Sequence, residues 1–456
     1  MIVRAPAGRT RWIEDWDPED EAFWESTGKR VARRNLVVSI VSEHIGFSVW
    51  SIWSVLVLFM SPEIGLPFTA AEKFLLVITP NLVGAALRLP YAAAVTRFGG
   101  RNWTIASTAV LLVPAALACF FVQQPGTPLW VFALVGATAG LGGGNFSSSM
   151  TNITTFFPQR HQGWALGLNA GGGNLGVAAV QVVGLLVIAF AGGTHPALVA
   201  GFYLPLIVLA ALCAALFMDN VAAVRARPGA LREAAADKHT WWLSALYVGT
   251  FGSFIGYSFA FGLVLQTEFG FTPLQAAAWT SLGPLLGSLA RPLGGWVADR
   301  LGGGRVTLWT FAGMAAGTAA LLLASSLGSF AAYVAAFIAL FVLTGVGNGS
   351  TYKMIPAVFT REAEREVAEG GEPVAAFARA RRTSGAVIGI AGAVGALGGV
   401  GINVAFRASY SGEAANGDAA LVAFLCYYLL CVLITWAVYL RSTPATAPAE
   451  AEAVSA

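Results

Sequence analysis

Two arginines, Arg88 and Arg291, lie inside apolar stretches of this sequence. An ionised side chain within a membrane-spanning stretch is costly and is therefore a candidate functional group. An offset of 203 residues relates the two positions, and neither has an obvious carboxylate partner nearby in the sequence. Two facing guanidinium groups repel each other unless an anion lies between them, and their planar donor geometry suits planar oxyanions. The pair predicts a site for a small anion such as nitrate, nitrite or a carboxylate, with snorkelling of each arginine to an interface as the alternative.

Three further ionisable residues lie in apolar stretches. Glu43 and His44 are adjacent in the first stretch, and Lys353 lies in the tenth. Burial alters the proton affinity of such groups, so each is a candidate carrier of a proton that moves together with the anion. Lys353 has a second possible role as a third positive charge for the anion. A structural ion pair between Glu43 and Lys353 is the remaining interpretation.

The composition places these residues in a membrane protein. Hydrophobic residues make up 56% of the 456-residue chain and charged residues 11%, against about 25% charged in an average soluble domain. A soluble globule of this length would expose too much apolar surface, and the net charge of +3 comes without a basic run for nucleic acid. Soluble enzymes, disordered proteins and nucleic-acid binders are therefore excluded. The four histidines are scattered, so we predict no catalytic residues, metal or cofactor.

Twelve apolar runs of spanning length are separated by polar breaks. The predicted fold is an all-α polytopic membrane protein with 12 transmembrane helices, arranged in two pseudo-symmetric six-helix halves. The offset of 203 residues also superposes Gly84 on Gly287 and Asn145 on Asn348, which supports the repeat. The predicted organisation is an N-terminal leader at 1–35, a first half at 36–218, a linker at 219–240, a second half at 241–440 and a tail at 441–456.

Lysine and arginine are distributed unequally between the two sides of the membrane. With the N-terminus in the cytoplasm, the cytoplasmic segments hold 22 of the 27 residues, the opposite side holds Lys73 and Arg407, and three lie within spans. Cytoplasmic loops of membrane proteins carry an excess of these residues. We therefore predict a multi-pass protein of the cytoplasmic membrane, monomeric in the lipid bilayer, with both termini cytoplasmic.

Glycine is abundant, with 53 residues, and clusters in the fourth, fifth and tenth runs. Small residues permit close helix contact, and smooth glycine faces also let helices slide, although packing alone explains most of them. The candidate gating glycines are Gly142, Gly144, Gly163, Gly167, Gly171 and Gly172 in the first half, and Gly345, Gly347 and Gly349 in the second.

A charged loop follows the eighth run. Asp299, Arg300 and Arg305 surround a glycine turn, where they are placed to pair with neighbouring helix ends and to latch one conformation. The loop resembles the signature of the major facilitator superfamily. The corresponding loop of the first half keeps the arginines and glycines but lacks the aspartate.

Two glycine-rich segments carry a closer resemblance. Gly-Leu-Gly-Gly-Gly-Asn-Phe-Ser from Gly140 and Gly-Val-Gly-Asn-Gly-Ser-Thr-Tyr-Lys from Gly345 resemble the paired signature motifs of the nitrate/nitrite porter family (NarK type) of that superfamily. The resemblance extends over about residues 36–440. It implies that Arg88 and Arg291 hold the anion, that Asn174 supplies a polar amide, and that Phe146, Tyr247 and Phe251 supply aromatic walls.

The resemblance implies a secondary active transporter that moves nitrate, and with it nitrite, by alternating access. Glu43, His44 and Lys353 within the spans favour proton-coupled nitrate uptake. Nitrate/nitrite antiport is the alternative, and a facilitator for another small anion is a more distant one.

Overall fold

The protein, described here from a computed structural model, is defined over residues 11–222, 230–413 and 415–441. Within these residues, eleven helical segments are long and apolar enough to cross a membrane. In chain order with the eighth helix added, the membrane helices are α1 (Glu21–Phe59), α2 (Ala70–Phe98), α3 (Gly100–Phe121), α4 (Leu129–Phe156), α5 (Gln159–Ala191), α6 (Ala197–Phe217), α7 (Lys238–Phe269), α8 (Pro273–Thr280 and Leu282–Leu301), α9 (Gly303–Ser326), α10 (Phe330–Ala368), α11 (Pro373–Ser411) and α12 (Asp418–Leu440).

The eighth helix differs from the other eleven. It is interrupted at Ser281, and its longer segment carries the charged residues Arg291, Asp299 and Arg300. It is therefore less apolar than its neighbours, because these charged residues fall within a single segment. With α8 included, the helices confirm the predicted all-α polytopic fold.

The internal repeat extends to the signals that start and stop helices. Thr69 and Glu72 form a capping box at the start of α2, in which each side chain accepts a hydrogen bond from the other residue's backbone N–H. Thr272 and Gln275 form the equivalent box at the start of α8. Each box satisfies two N–H groups that have no partner within the helix. Both helices end at a glycine with positive φ, and these glycines are Gly99 (88°) and Gly302 (87°).

The first helix begins within the predicted leader. Its first residue is Glu21, capped by the Asp20 side chain. Its charged residues occupy one face and its buried residues the other, so the helix continues past the membrane-spanning stretch. Residues 1–10, 223–229 and 442–456, which belong to the predicted leader, linker and tail, lie outside the described residues.

The segment before α1 packs against the ends of the first half. Strand β1 (Trp12–Ile13) pairs in parallel with strand β2 (Asn220–Val221), which follows α6. The indole Nε1 of Trp16 donates to the carbonyl oxygen of Thr155 at 3.0 Å. Trp24 is buried, with its ring centroid 5.7 Å from that of Phe157. These contacts form a cap over the end of the bundle where α1 begins and α12 ends, called the terminal end below.

A polar network fastens this cap to the sixth helix. Asp219 forms an ion pair with Arg34. It also accepts a hydrogen bond from Asn35 Nδ2 at 3.0 Å, and its own N–H donates to Asn35 Oδ1 at 2.9 Å. Asn35 and Asp219 are buried, so the network satisfies polar groups that would otherwise be costly.

We expect Trp24→Ala to lower the thermal stability of the protein, because truncation of a buried tryptophan costs about 3–5 kcal/mol. Thermal unfolding of the purified protein in detergent, followed by fluorescence, measures the change. Trp309→Ala is the matched control, because that side chain is 73% exposed. An equal shift of the unfolding temperature in both variants would contradict a packing role for Trp24.

Candidate anion-binding site

Arg88 projects from α2 into the interior of the bundle, where its side chain is fully buried. Its Nη1 donates a hydrogen bond to the carbonyl oxygen of Gly392 in α11 at 2.8 Å. Its Nε and Nη2 have no hydrogen-bond partner in the described part of the chain. Because α2 belongs to the first half and α11 to the second, the guanidinium group lies at the interface between the halves.

Arg291 projects from α8 and is also buried, with 6% of its surface exposed. Its Nη2 donates to the hydroxyl of Tyr247 in α7 at 3.2 Å. Its Nη1 has no partner among the described residues. The guanidinium carbon lies 5.6 Å from the ring centroid of Tyr352 in α10.

An aromatic cluster, defined as Phe146, Tyr247 and Phe251, connects the two arginines. The Arg88 guanidinium carbon lies 4.6 Å from the Phe146 centroid and 4.8 Å from the Phe251 centroid. Phe251 stacks on Phe146 at 6.0 Å and on Tyr247 at 5.2 Å. The Tyr247 hydroxyl, in turn, accepts the hydrogen bond from Arg291. The structure therefore brings one arginine from each half to the same cluster.

Asn174 adds an amide from α5. The residue is fully buried, and neither its Nδ2 nor its Oδ1 has a partner in the described part of the chain. An amide buried without a partner costs free energy. Its amide group is thus open to a hydrogen bond from or to a ligand.

These groups together are suited to bind a small anion. Aromatic faces attract a cation but do not neutralise its charge. Buried N–H donors left without acceptors carry a large desolvation penalty. A planar oxyanion would accept hydrogen bonds from the open donors of Arg88 and Arg291 and would lie against aromatic walls.

Three participants escaped the sequence analysis. Tyr352 approaches Arg291, Trp50 in α1 lies with its ring centroid 5.8 Å from the Arg88 guanidinium carbon, and Gly392 supplies a carbonyl oxygen. Tyr352 directly precedes Lys353 in a glycine-rich segment, which was a usable signal. Gly392 contributes its backbone carbonyl oxygen, and the sequence pattern of side chains does not predict such a contact.

Glu43 is buried close to this site. Its Oε2 accepts a hydrogen bond from Asn169 Nδ2 at 2.7 Å, and the carboxyl interacts electrostatically with Arg88 and Arg291. The neighbouring His44 turns away from Glu43, and its Nδ1 lies 3.1 Å from the carbonyl oxygen of Gly172. Of the residues predicted as proton carriers, Glu43 is therefore the one with a direct electrostatic link to both arginines.

Lys353 takes a different position. Its Nζ pairs with Asp299 Oδ2 at 2.9 Å, and both side chains are about half exposed, at 43% and 55%. The structure therefore contains neither a buried third charge at Lys353 nor a Glu43–Lys353 ion pair. Asp299 joins the end of α8 to α10, while Arg300 stacks on Trp296 at 3.8 Å and Arg305 is exposed.

Most of the predicted gating glycines pack tightly against neighbouring helices. A Cβ atom at Gly142 would lie 2.1 Å from the carbonyl oxygen of Gly46, and one at Gly345 would lie 2.0 Å from that of Gly287. Because these contacts are to backbone atoms, any side chain would push the helices apart. Gly349 also packs against backbone, with a Cβ atom 2.2 Å from the carbonyl oxygen of Arg291. A Cβ atom at Gly144, Gly172 or Gly347 would instead meet a side chain, at 2.0, 2.4 and 2.5 Å respectively.

The remaining predicted glycines line open space. Gly163, Gly167 and Gly171 form one stripe along α5, where a Cβ atom would meet only Lys353 Nζ at 4.0 Å, and only at Gly163. A second stripe on α11 consists of Gly385, Gly389 and Gly392, and a Cβ atom at Gly392 would approach Arg88 Nη1 at 3.6 Å. Both stripes lie in the halves of α5 and α11 that begin at the terminal end, and the stripe on α11 reaches Arg88 at Gly392. We call the open space at these stripes the vestibule.

The opposite end of the bundle is closed by aromatic rings. Phe74 of α2 stacks on Phe406 and Tyr410 of α11, with centroid distances of 5.6 and 5.3 Å. Gln266 Nε2 of α7 donates to the carbonyl oxygen of Leu58 in α1 at 3.2 Å. Both contacts join the two halves, so the closed end and the vestibule lie on opposite sides of the site.

Comparison with known proteins defines the class of this protein. Residues 44–402 match the family model of the Major Facilitator Superfamily. Two solved transporters share the fold. One is the xylose transporter XylE from E. coli, with a TM-score of 0.66 and 12% identity over 91% of this chain and 100% of that chain. The other is a bacterial homologue of the lysosomal transporter Spinster, with a TM-score of 0.62 and 15% identity over 90% of this chain and 97% of that chain.

Closer relatives define the family within that class. The chain is 41% identical to the nitrate/nitrite transporter NarU of Salmonella typhimurium, over 95% of this chain and 97% of the relative. It is 34% identical to the probable nitrate/nitrite antiporter NarK2 of Thermus thermophilus, over 94% and 97%. The chain therefore belongs to the NarK-type nitrate/nitrite porter family of the major facilitator superfamily.

We expect Phe74→Ala to open the end of the bundle that the aromatic stack closes. Each lost ring pair removes about 0.5–1.5 kcal/mol, which corresponds to at least about a fivefold shift for two pairs. Ser61 lines a cavity of about 560 Å³ at this end, so alkylation of a Ser61→Cys variant by an impermeant maleimide reports the opening. Phe190→Ala, at a side chain that is 88% exposed, is the control. Unchanged alkylation with Phe74→Ala would contradict the gate.

Proposed function

We propose that this protein transports nitrate, and nitrite with it, across the cytoplasmic membrane by alternating access. The observation that carries the proposal is the set of open N–H donors on Arg88 and Arg291, from different halves, around one aromatic cluster. Nitrate is flat, weakly hydrated and weakly basic, so it loses less on leaving water than phosphate or sulfate would. The names of the relatives support the same substrate class.

The proposed cycle follows from the electrostatics of the site. Without an anion, Arg88 and Arg291 repel each other across the interface between the halves. A bound anion bridges them and removes that repulsion, which permits the halves to close around it and to reopen on the other side. The aromatic stack at Phe74 then has to separate when the opposite end opens.

The orientation follows from the charge distribution. Most of the lysine and arginine residues belong to segments at the terminal end, and such segments remain in the cytoplasm. The vestibule thus faces the cytoplasm in this conformation, and both termini are cytoplasmic. Since both arginines come from one chain, we expect a monomer to be the transporting unit, with no cofactor and no enzymatic step.

Two coupling modes are compatible with this site. Proton-coupled nitrate uptake is the mode we favour, because Glu43 is a buried carboxyl in electrostatic contact with both arginines. Lys353 is paired at the vestibule, so we assign it no part in carrying the proton. Nitrate/nitrite antiport is the second candidate, supported by the name of the Thermus thermophilus relative.

We expect Arg88→Lys and Arg291→Lys each to lose most nitrate transport. An ammonium group keeps the charge but lacks the planar fork that donates two parallel hydrogen bonds. Uptake of labelled nitrate into cells, normalised to the amount of protein in the membrane, measures the loss. Arg407→Lys, at an exposed residue, is the matched control. Normal uptake by both site variants would rule out the proposed anion site.

Flux into proteoliposomes separates the two coupling modes. For symport, an imposed inward proton gradient drives nitrate accumulation in vesicles that contain no nitrite. For antiport, uptake requires internal nitrite or nitrate and is insensitive to the proton gradient. Saturable uptake of another small anion, inhibited by neither nitrate nor nitrite, would instead favour that anion as the substrate.

A further inference from the structure

A buried polar cluster surrounds the carboxyl of Glu43. Glu43 Oε2 accepts from Asn169 Nδ2 at 2.7 Å, and the same nitrogen donates to Ser149 Oγ at 2.6 Å. Ser149 Oγ lies 2.8 Å from Ser39 Oγ. The hydrogen-bonding partners are thus an amide and hydroxyl groups rather than a fixed cation. Hydroxyl groups serve as donor or acceptor, and an amide presents either its NH₂ or its oxygen. These partners can therefore accommodate both the charged and the neutral carboxyl.

Glu43 also lines a small cavity, together with seven other polar residues. The cavity lies between α1, α3 and α4, measures about 10 Å³ and is lined entirely by polar residues, which include Ser42, Thr104, Ser107 and Asn145. Glu43 Oε1, Ser42 Oγ and both amide atoms of Asn145 are buried and have no partner among the described residues. A cavity of this size holds about one water, and unsatisfied polar walls are where buried waters bind.

The same stretch of α5 contacts Glu43 and reaches the anion site. A Cβ atom at Gly173 would lie 2.3 Å from Glu43 Oε1, so the backbone of α5 lies directly against the carboxyl. Asn169, four residues earlier, donates to Oε2. Asn174, which directly follows Gly173, is the open amide assigned to the anion site. A change in the hydrogen bonding of Glu43 therefore acts on the helix segment that positions Asn174.

We propose that Glu43, together with one water in this cavity, is a proton-binding site whose occupancy is thermodynamically coupled to anion binding through residues 169–174 of α5. The proposal rests on the anion site proposed above. The proton comes from solution and binds Glu43 Oε1, because Oε2 is occupied as an acceptor for Asn169. No other bond forms or breaks.

The sign of the coupling follows from the charges that face Glu43. The positively charged groups that interact electrostatically with Glu43 from other helices are Arg88 of α2 and Arg291 of α8, and Tyr352 of α10 also interacts with it. His44, on the same helix, is directed to Gly172. An anion bound at the arginines offsets their positive potential, so anion binding promotes proton uptake at Glu43. By reciprocity, protonation of Glu43 raises the affinity for the anion.

Nitrate binding to the purified full-length protein tests this linkage. Calorimetry between about pH 5 and pH 8, in buffers of different ionisation enthalpy, gives the affinity and the number of protons taken up. We expect wild-type protein to take up a fraction of a proton per nitrate, approaching one. Its affinity should tighten as pH falls, by at most about tenfold per pH unit. Nitrate binding without proton uptake over this range would overturn the proposal, whereas the absence of any nitrate binding would refute the anion site instead.

A variant of Glu43 tests whether the proton binds this residue. Glu43→Gln, which keeps the shape of the side chain, should bind nitrate with no proton uptake and no pH dependence. Glu63→Gln, at an exposed carboxyl, is the matched control and should behave as wild type. Proton uptake by Glu43→Gln equal to that of wild type would contradict the assignment.

A second variant tests the water in the cavity. Ser42→Val fills the cavity with methyl groups and displaces the water without touching the anion site. We expect the pH at which nitrate affinity changes to shift by at least half a unit, while nitrate binding itself is retained. A profile identical to that of wild type would remove the water from the proposal, and a protein that binds nitrate only weakly at every pH would show that the cavity serves structure alone.

Discussion

The burial of two guanidinium groups, one from each half, against a shared aromatic cluster is the constraint on which the rest of the structure depends. An arginine remains charged in any environment that a protein offers. A carbonyl oxygen satisfies one donor of Arg88 and a tyrosine hydroxyl one donor of Arg291, so both groups retain open donors. The fold must therefore exclude water, hold the halves in register and leave room for an anion. Each of these requirements is visible in the helices around the site.

Access to the site is arranged asymmetrically along the bundle. On one side, glycine stripes on α5 and α11 leave an open vestibule that ends near Arg88. On the other side, Phe74, Phe406 and Tyr410 close the interface between the halves. The ion pairs near the terminal end, Asp299–Lys353 and Arg34–Asp219, each lie within one half. Such pairs stiffen each half while leaving the two halves free to move relative to each other.

Helix α5 serves three purposes with residues only a few positions apart. Its glycines at 163, 167 and 171 face the vestibule, and Gly172 and Gly173 pack against α1. Asn174 presents an amide that has no partner among the residues that the structure describes. Glycine permits this because a side chain at 172 or 173 would collide with Ile40 or Glu43. The close approach places the backbone of α5 against Glu43, a buried carboxyl that interacts with both arginines. The proposed anion site and Glu43 therefore share a structural element.

The sequence by itself determined the fold class and the repeat, and it predicted most of the residues that the structure brings together around Arg88 and Arg291. The membrane-spanning runs can be recognised because a helix needs about 20 apolar residues to cross the lipid bilayer. Arg88 and Arg291 are conspicuous because charged residues are rare in such runs. The motif resemblance extended this to Phe146, Asn174, Tyr247 and Phe251. The start of α1 at Glu21 was harder to predict, because its buried face is set by contacts with Phe157, His161 and Asp219 rather than by lipid.

Only the tertiary structure decided how the charged groups pair. Lys353 and Glu43 both lie in apolar runs, yet Lys353 is half exposed beside Asp299 whereas Glu43 is buried beside Asn169. The sequence pattern places a residue on a helix, but the rotation and packing of that helix decide whether its side chain meets a vestibule or the interior. The carbonyl oxygen of Gly392 and the ring of Tyr352 are likewise brought to the arginines by helices distant in sequence. Pairing is a property of distances across the bundle, and local sequence does not encode those distances.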